Sequence, residues 1–366
     1  MNDGVGFSRQ PPIRPSPPSA PVEGLAVPSG DRPAPATDGF LFDERILSLS
    51  QRSFSTVAAA AAAVGRELFE LAEVRVQPIS EGANNEAFIV TAPEGEQAAI
   101  LRLSAASRAE RGYEKEALVL DQVGTMDALR GACARCLAVG HTDVAGKRTA
   151  FMAQSRLPGL SGAKVLESNP SAAPDLWRQI GGFASAIRTH SAPGFGTELR
   201  ARGQLHFADR DWFAYIRPRI RGGLGVLESH DGPHIPLLLE KWKQRVDGLE
   251  TWTVEHRLGH GDLGPHNVLV DTDSMKVTGV VDWGSAGSLH PHADLANVYA
   301  LQGDGRNLAA FLSGYGMNRD AFEAILDQIE PLSLVYAAGL LGWSKQRGYS
   351  GIADLCMRRI ESMLSD

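Results

Sequence analysis

Cysteine is scarce in this chain, with three residues among 366. Cys133 and Cys136 form a C-x-x-C, Cys356 stands alone, and no second pair or finger-like His spacing accompanies them. Structural zinc needs a closed set of four ligands, so zinc is not expected. A thioredoxin-like redox pair would open a helix after a strand, whereas "CARCLAVGH" reads as the entry to a strand. Both residues are expected as part-buried packing groups, and so sparse a cysteine count suits a reducing cytoplasm.

Positive charge is short as well. Lys and Arg total 36 against 43 Asp and Glu, giving a net charge of −7. That balance excludes a phosphate-neutralising surface, so nucleic acid is not an expected partner. The longest apolar run, Val57 to Val64, is mostly alanine and far below the roughly 20 residues that span a bilayer. Met1 to Pro12 shows no basic patch followed by an apolar stretch, so neither membrane nor secretory leader is expected. Aromatic residues are almost missing from residues 1–40, where Pro11, Pro12, Pro15, Pro17, Pro18, Pro21, Pro28, Pro33 and Pro35 break every regular pattern. Such a stretch buries too little apolar surface to offset chain entropy and is expected to be a disordered arm.

The remaining length is generous for one core and comfortable for two lobes. Residues 41–156 read as a small lobe. A helix over Phe54 to Leu71 is followed by strands at Val74 to Ile79, Ala87 to Thr91 and Ala98 to Leu103. Next comes a helix in "RAERGYEKEALVLDQVG", with Tyr113, Ala117, Leu118 and Leu120 on one face, then strands at Leu137 to His141 and Thr149 to Ser155. Residues 157–366 read as a mostly helical lobe interrupted by one hairpin, "NVLVDTDSMKVTGVVDW". The expected fold class is α+β.

The hairpin carries the chemistry. Phosphoryl transfer needs a carboxylate near the acceptor hydroxyl, oxygen ligands for Mg²⁺ and donors around the phosphates. In "HGDLGPHNVLVD", Asp262 and Asn267 stand five apart, the spacing of the kinase loop H-R-D-x-x-x-x-N. A hairpin brings its end back to its start, so Asp282 should return beside Asn267 and offer a second oxygen ligand to one cation. Asp282-Trp283-Gly284 also matches D-F-G with one aromatic exchanged.

These two motifs, with "HADLA" after them, resemble the aminoglycoside phosphotransferase and choline kinase-like family over roughly residues 70–345. The resemblance implies a bilobal, protein-kinase-like fold: a small antiparallel-sheet N-lobe binding nucleotide and a helical C-lobe binding the acceptor. It implies ATP or GTP as donor, Mg²⁺, and a small-molecule hydroxyl as acceptor. Matched residue by residue, Asp262 is the catalytic carboxylate, His260 the histidine that holds its loop, and Asn267 and Asp282 the metal ligands. Asp294 matches a residue that steadies the loop. Gly82, Ala83, Asn84 and Asn85 fall where a turn covers the phosphates. Arg102 takes the place of the β3 lysine, and Glu116 its partner, with Glu114 the neighbouring alternative. Backbone groups around Ala153 to Ser155 fall where the adenine edge is read. The pattern leans toward hygromycin-type phosphotransferases and hence antibiotic resistance. Its rivals are a housekeeping or biosynthetic kinase of sugars, amino alcohols or nucleosides, and a nucleotide-binding pseudokinase. "SLHPHAD" is expected as an exposed loop.

Overall fold

The computed structural model describes residues 54–79, 86–95, 97–106, 108–303 and 305–365. The Pro-rich arm and Gly82, Ala83, Asn84 and Asn85 lie outside these, as does the expectation attached to each. The chain divides into two compact units. One takes the described residues up to Tyr113 together with Cys136–Arg156, the other Glu114–Arg135 with Leu157 onward.

The first unit opens with helix α1 (Phe54–Phe69), then strands β1 (Arg75–Ile79), β2 (Glu86–Thr91) and β3 (Ala98–Ser104). Helix α2 (Ala109–Gly124) starts here and ends in the second unit, and β4 (Cys136–Val144) and β5 (Lys147–Ser155) complete a five-stranded antiparallel sheet ordered β1-β2-β3-β5-β4. Alternating inward residues Phe88, Val90, Leu101, Leu103, Phe151 and Ala153 meet Val57, Ala61 and Val64 of α1 in one core. Gly65 lets α1 approach closely, since a Cβ there would stand 2.3 Å from Val90. Along α2 the buried positions are Tyr113, Lys115, Glu116, Val119, Leu120 and Val123, while Ala117 and Leu118 are half-exposed. The expected single face was therefore misplaced, because this helix is covered on more than one side and two of its covered residues are charged.

The second unit is richer in strands than expected. After β6 (Leu160–Ser161) come helices α3 (Gly162–Ser168) and α4 (Ala173–Ile187), then strands β7 (Phe195–Leu199) and β8 (Phe207–Asp209). Helices α5 (Trp212–Glu228) and α6 (Ile235–Val246) lead to β9 (Arg257–Gly259) and the hairpin β10 (Val268–Asp271) and β11 (Lys276–Val280). Strand β12 (Gly287–Leu289) precedes helices α7 (Ala293–Gln302), α8 (Arg306–Tyr315), α9 (Arg319–Glu323), α10 (Leu326–Gln346) and α11 (Ser350–Ser365). The hairpin is extended by β6, and β8-β7-β12-β9 form a second small sheet. These extra strands are two to five residues long and rich in glycine and polar residues, so period-2 alternation had no length in which to show. The helical run of sequence from Ala321 to Lys345 is broken at Ile325, whose φ of −120° separates α9 from α10. α4 and α8 cross at glycines: a Cβ on Gly181 would lie 2.0 Å from Phe311 O, and one on Gly314 1.8 Å from Arg178 O.

Cys133, Cys136 and Cys356 are buried free thiols, and burial pushes Cys133 up to about 12 and Cys356 up to about 11. Cys133 and Cys356 therefore stay protonated and unreactive at neutral pH. "SLHPHAD" is not exposed. His290 is 8% exposed and packs against Trp212 and Trp252, so it is a core histidine. No described helix is long and apolar enough to cross a membrane.

Candidate active site

The site grows from the sheet edge at β9, whose Gly259 pairs with Gly287 of β12. The chain then turns sharply at Gly261, with φ +80°, where a Cβ would come within 2.4 Å of Ser285 O. Only glycine fits that turn without strain. Asp294, at the start of α7, accepts the N–H groups of His260 at 3.0 Å and Gly261 at 2.8 Å. Asn297 donates to Gly261 O at 2.9 Å. The loop is thus held by three hydrogen bonds from one helix before Asp262 is reached.

His260 is fully buried beneath Trp283, ring centroids 4.7 Å apart. Its Nδ1 accepts the Asp262 N–H at 3.3 Å, and its Nε2 lies 3.1 Å from Val281 O. With Nδ1 accepting, Nε2 is the protonated nitrogen and donates to that carbonyl. Both nitrogens are engaged with backbone, so His260 links the loop to the returning hairpin and turns no face to a substrate.

The hairpin delivers what its length promised. Val268 pairs with Val280, and Val281 N–H donates to Asn267 O at 3.0 Å, which brings Asp282 up beside Asn267. Asn267 Nδ2 donates to Asp262 O at 2.8 Å and to Asp262 Oδ2 at 3.1 Å. The amide nitrogen being committed, its oxygen is the atom left for a cation. Asp282 holds a left-handed backbone, φ 60° and ψ 64°, a conformation that Asp tolerates better than most residues. A Cβ on Gly284 would stand 3.2 Å from Asp282 Oδ1, so the glycine gives that carboxylate room. One amide oxygen and one carboxylate form a hard donor set that fits Mg²⁺ sharing its remaining positions with phosphate and water.

Around the Asp262 carboxylate stand two groups that the sequence did not single out. His266 Nε2 lies 3.4 Å from Asp262 Oδ1, and hydrogen bonding to that carboxylate raises the pKa of the imidazole. Tyr336, on α10, is half-buried, and desolvation, with the Asp262 carboxylate adding to it, raises its phenol pKa. Asp262, His266 and Tyr336 line a small cavity of about 70 Å³ with Trp177, Asn297 and Gln302.

A third group was overlooked beside the two glutamates weighed on α2. Lys115 is 4% exposed and donates through Nζ to Gly284 O at 2.5 Å and Ala286 O at 3.0 Å. Burial lowers its pKa to about 8. Its neighbours divide: Glu116 is buried, whereas Glu114 is half-exposed with Arg202 at 3.4 Å. Arg102, in the first unit, lies beside Met152, its Nη2 3.2 Å from the sulfur, with the guanidinium 5.3 Å from the Tyr113 ring centroid. Ala153 is paired on both sides, with Leu101 and Ala138, while Ser155, the last residue of β5, pairs with Ala99. Of these two, Ser155 has the more open strand position.

The model of the Phosphotransferase enzyme family matches residues 75–326. The chain belongs to this family. The match takes in Arg102, Glu116, Ser155, His260, Asp262, Asn267 and Asp282, and stops short of Tyr336. Viomycin phosphotransferase from Streptomyces vinaceus is 30% identical over 176 residues, which span 47% of this chain and 57% of that relative. The crystal structure of aminoglycoside phosphotransferase APH(4)-Ia superposes with a TM-score of 0.65 at 18% identity, covering 84% of this chain and 98% of its own. A thermostable mutant of that protein in ternary complex with ADP and hygromycin B gives 0.63 at 17% identity, with the same coverage of both chains. At those identities the likeness establishes the kinase-like fold common to the family.

Proposed function

We propose that this chain moves the γ-phosphate of ATP to a hydroxyl of a small molecule, with an antibiotic as the acceptor. The observation that supports it most directly is that Asp262 meets a small cavity while its other side is anchored by Asn267. In this reading Asp262 orients the acceptor hydroxyl and takes its proton, and His260 and Asp294 keep the loop in place. Asn267 and Asp282 would hold Mg²⁺, which supplies charge neutralisation at the phosphates when bound. Gly82, Ala83, Asn84 and Asn85 are assigned to the phosphates and Arg102 to the α- and β-phosphate oxygens, with Glu116 as its partner. The backbone near Ala153 and Ser155 is assigned to the adenine edge.

The antibiotic assignment is supported by the viomycin phosphotransferase relative and by the neighbour seen with hygromycin B. The cavity itself presents one carboxylate, Asp262, beside His266 and the uncharged Trp177, Asn297, Gln302 and Tyr336, which suits a lone acceptor hydroxyl better than a cluster of ammonium groups. Glu330, an acidic candidate for an ammonium, is already paired with Arg245. The rival is a housekeeping kinase of a sugar or amino alcohol.

The test is nucleotide consumption with hygromycin B, viomycin, choline, ethanolamine and simple sugars, for wild type beside Asp262→Ala. Turnover of an antibiotic that falls at least about a hundredfold in the variant is expected, the usual cost of removing a general base. Turnover confined to sugars or amino alcohols moves the assignment to the rival. Thermal stabilisation by nucleotide with no turnover makes the chain a pseudokinase.

A further inference from the structure

Asp282 is gripped from both sides through its backbone neighbours. On the N-terminal side His260 Nε2 donates to Val281 O, and on the C-terminal side Lys115 Nζ donates to Gly284 O and Ala286 O. Between these points the turn holds itself by Ala286 N–H to Trp283 O at 3.0 Å and by the Trp283 indole to Val280 O at 3.1 Å. Neither internal bond reaches the carbonyl of Gly284. Lys115 alone of the groups described above restrains that carbonyl, and it does so from another element, α2.

A buried ammonium is costly, and a lysine whose hydrogen-bond acceptors are main-chain carbonyls is an expensive way to fill space. A leucine or methionine would pack the same volume without the desolvation. What the ammonium adds is two directed donors on one turn, and a positive charge among Glu116, Glu198 and Asp282. The turn it restrains directly follows the left-handed backbone of Asp282, a conformation that persists only where surrounding groups over-determine it.

We infer that Lys115 is a positioning residue for Asp282, fixing the turn so that the carboxylate stands ready for a divalent cation before nucleotide arrives. This rests on the reading of Asp282 as a metal ligand. The residue touches neither cation nor substrate and acts through the carbonyls of Gly284 and Ala286.

The experiment compares wild type, Lys115→Met and Lys115→Arg in full-length protein by two measurements. The first is amide hydrogen exchange in nucleotide-free protein, where Lys115→Met should speed exchange at Ala286 while Val268 to Asp271 stay as protected as in wild type. The second is the Mg²⁺ concentration at half-maximal binding of a non-hydrolysable ATP analogue, followed by fluorescence. It should rise about tenfold or more in Lys115→Met, the usual cost of losing a group that orients a metal ligand. Lys115→Arg, which keeps charge and donors, should recover part of both. A merely structural lysine predicts a lowered Tm with the Mg²⁺ midpoint unmoved, and that result overturns the inference. So does unchanged exchange at Ala286. If Lys115→Met does not fold, Lys115→Gln serves for the same two readings. Wild type that binds the analogue without any Mg²⁺ dependence sinks the reading of Asp282 instead, which separates the two failures.

Discussion

The carboxylate of Asp294 receives two successive backbone N–H groups, those of His260 and Gly261, at 3.0 and 2.8 Å. The residue is buried, and desolvation raises its pKa against the pull of His260 and these two donors. Asparagine in its place offers one acceptor oxygen and turns an N–H₂ toward a backbone N–H. Asp294→Asn should therefore destabilise the protein by about 1–3 kcal/mol, the cost of leaving a buried donor unmatched. Denaturant unfolding checks this, and turnover should fall with it because Asp262 sits on the loop that Asp294 holds. A variant as stable as wild type would mean that the loop does not depend on this carboxylate.

Tyr336 gives a different signature. It lines the same small cavity as Asp262, and that carboxylate adds to the desolvation that raises its phenol pKa. Tyr336→Phe keeps the ring and removes the hydroxyl. The expected result is a loss of kcat of roughly tenfold, the scale of one active-site hydrogen bond, with nucleotide affinity unchanged. Steady-state kinetics beside a nucleotide titration distinguish this from a global effect, which would lower both.

How much of this could be read beforehand varies residue by residue. That Asp262, Asn267 and Asp282 come together was legible because a local spacing and one hairpin fix their neighbourhood, and local geometry is what a sequence encodes most directly. His260 was legible for the same reason, and the backbone partners of both its nitrogens agree with a holding role. Tyr336 was not, since it arrives from α10, seventy-odd residues away, on a face that its helical period marks as ordinary core. Lys115 was hidden by its type: between Glu114 and Glu116 a lysine reads as a solvated helix face, and nothing local announces the carbonyls of Gly284 and Ala286. The sheet of the first unit was legible to within two or three residues at each end, because its strands are long enough to alternate. The short strands β6, β7, β8, β9 and β12 were not.

Acid stability should be set in part by two histidines. His290 is buried and His292 half-buried beside it, with Arg188 and Tyr315 as ionisable neighbours of His292 and Asp294 acting on Tyr315. Burial lowers His290 from 6.5 to about 3 and His292 from 6.5 to about 4. Below pH 6.5 the unfolded chain binds protons that the folded chain refuses, so stability falls as pH drops from 6.5 toward 4. Between pH 7 and pH 5 each group contributes on the order of 2 kcal/mol at most, one pKa unit being about 1.4 kcal/mol. His290→Asn, whose side-chain oxygen can still accept the His292 N–H, should show a shallower acid loss than wild type. Comparing each protein with itself at the two pH values cancels the constant cost of the substitution. An equally steep loss in the variant would assign the acid limb to other groups.

The crossing of α4 and α8 offers the sharpest test of packing. Gly181 and Gly314 leave no room for a methyl group, each Cβ falling within 2.0 Å of a main-chain oxygen of the opposite helix. Main-chain atoms cannot swing aside as a flexible side chain can, so one helix must move. Overpacking a core usually costs about 1–3 kcal/mol, and a backbone clash belongs at or above the upper end of that range. Helix propensity works the other way, favouring alanine over glycine by up to about 1 kcal/mol, so the clash has to exceed that gain to be seen. Gly314→Ala is therefore expected to lower stability by about 2 kcal/mol or more. Gly339→Ala on α10, where a Cβ meets nothing within 4 Å, should be neutral or stabilising. Paired urea titrations of the two variants decide it: equal midpoints would mean that the helices do not approach as closely as their glycines require.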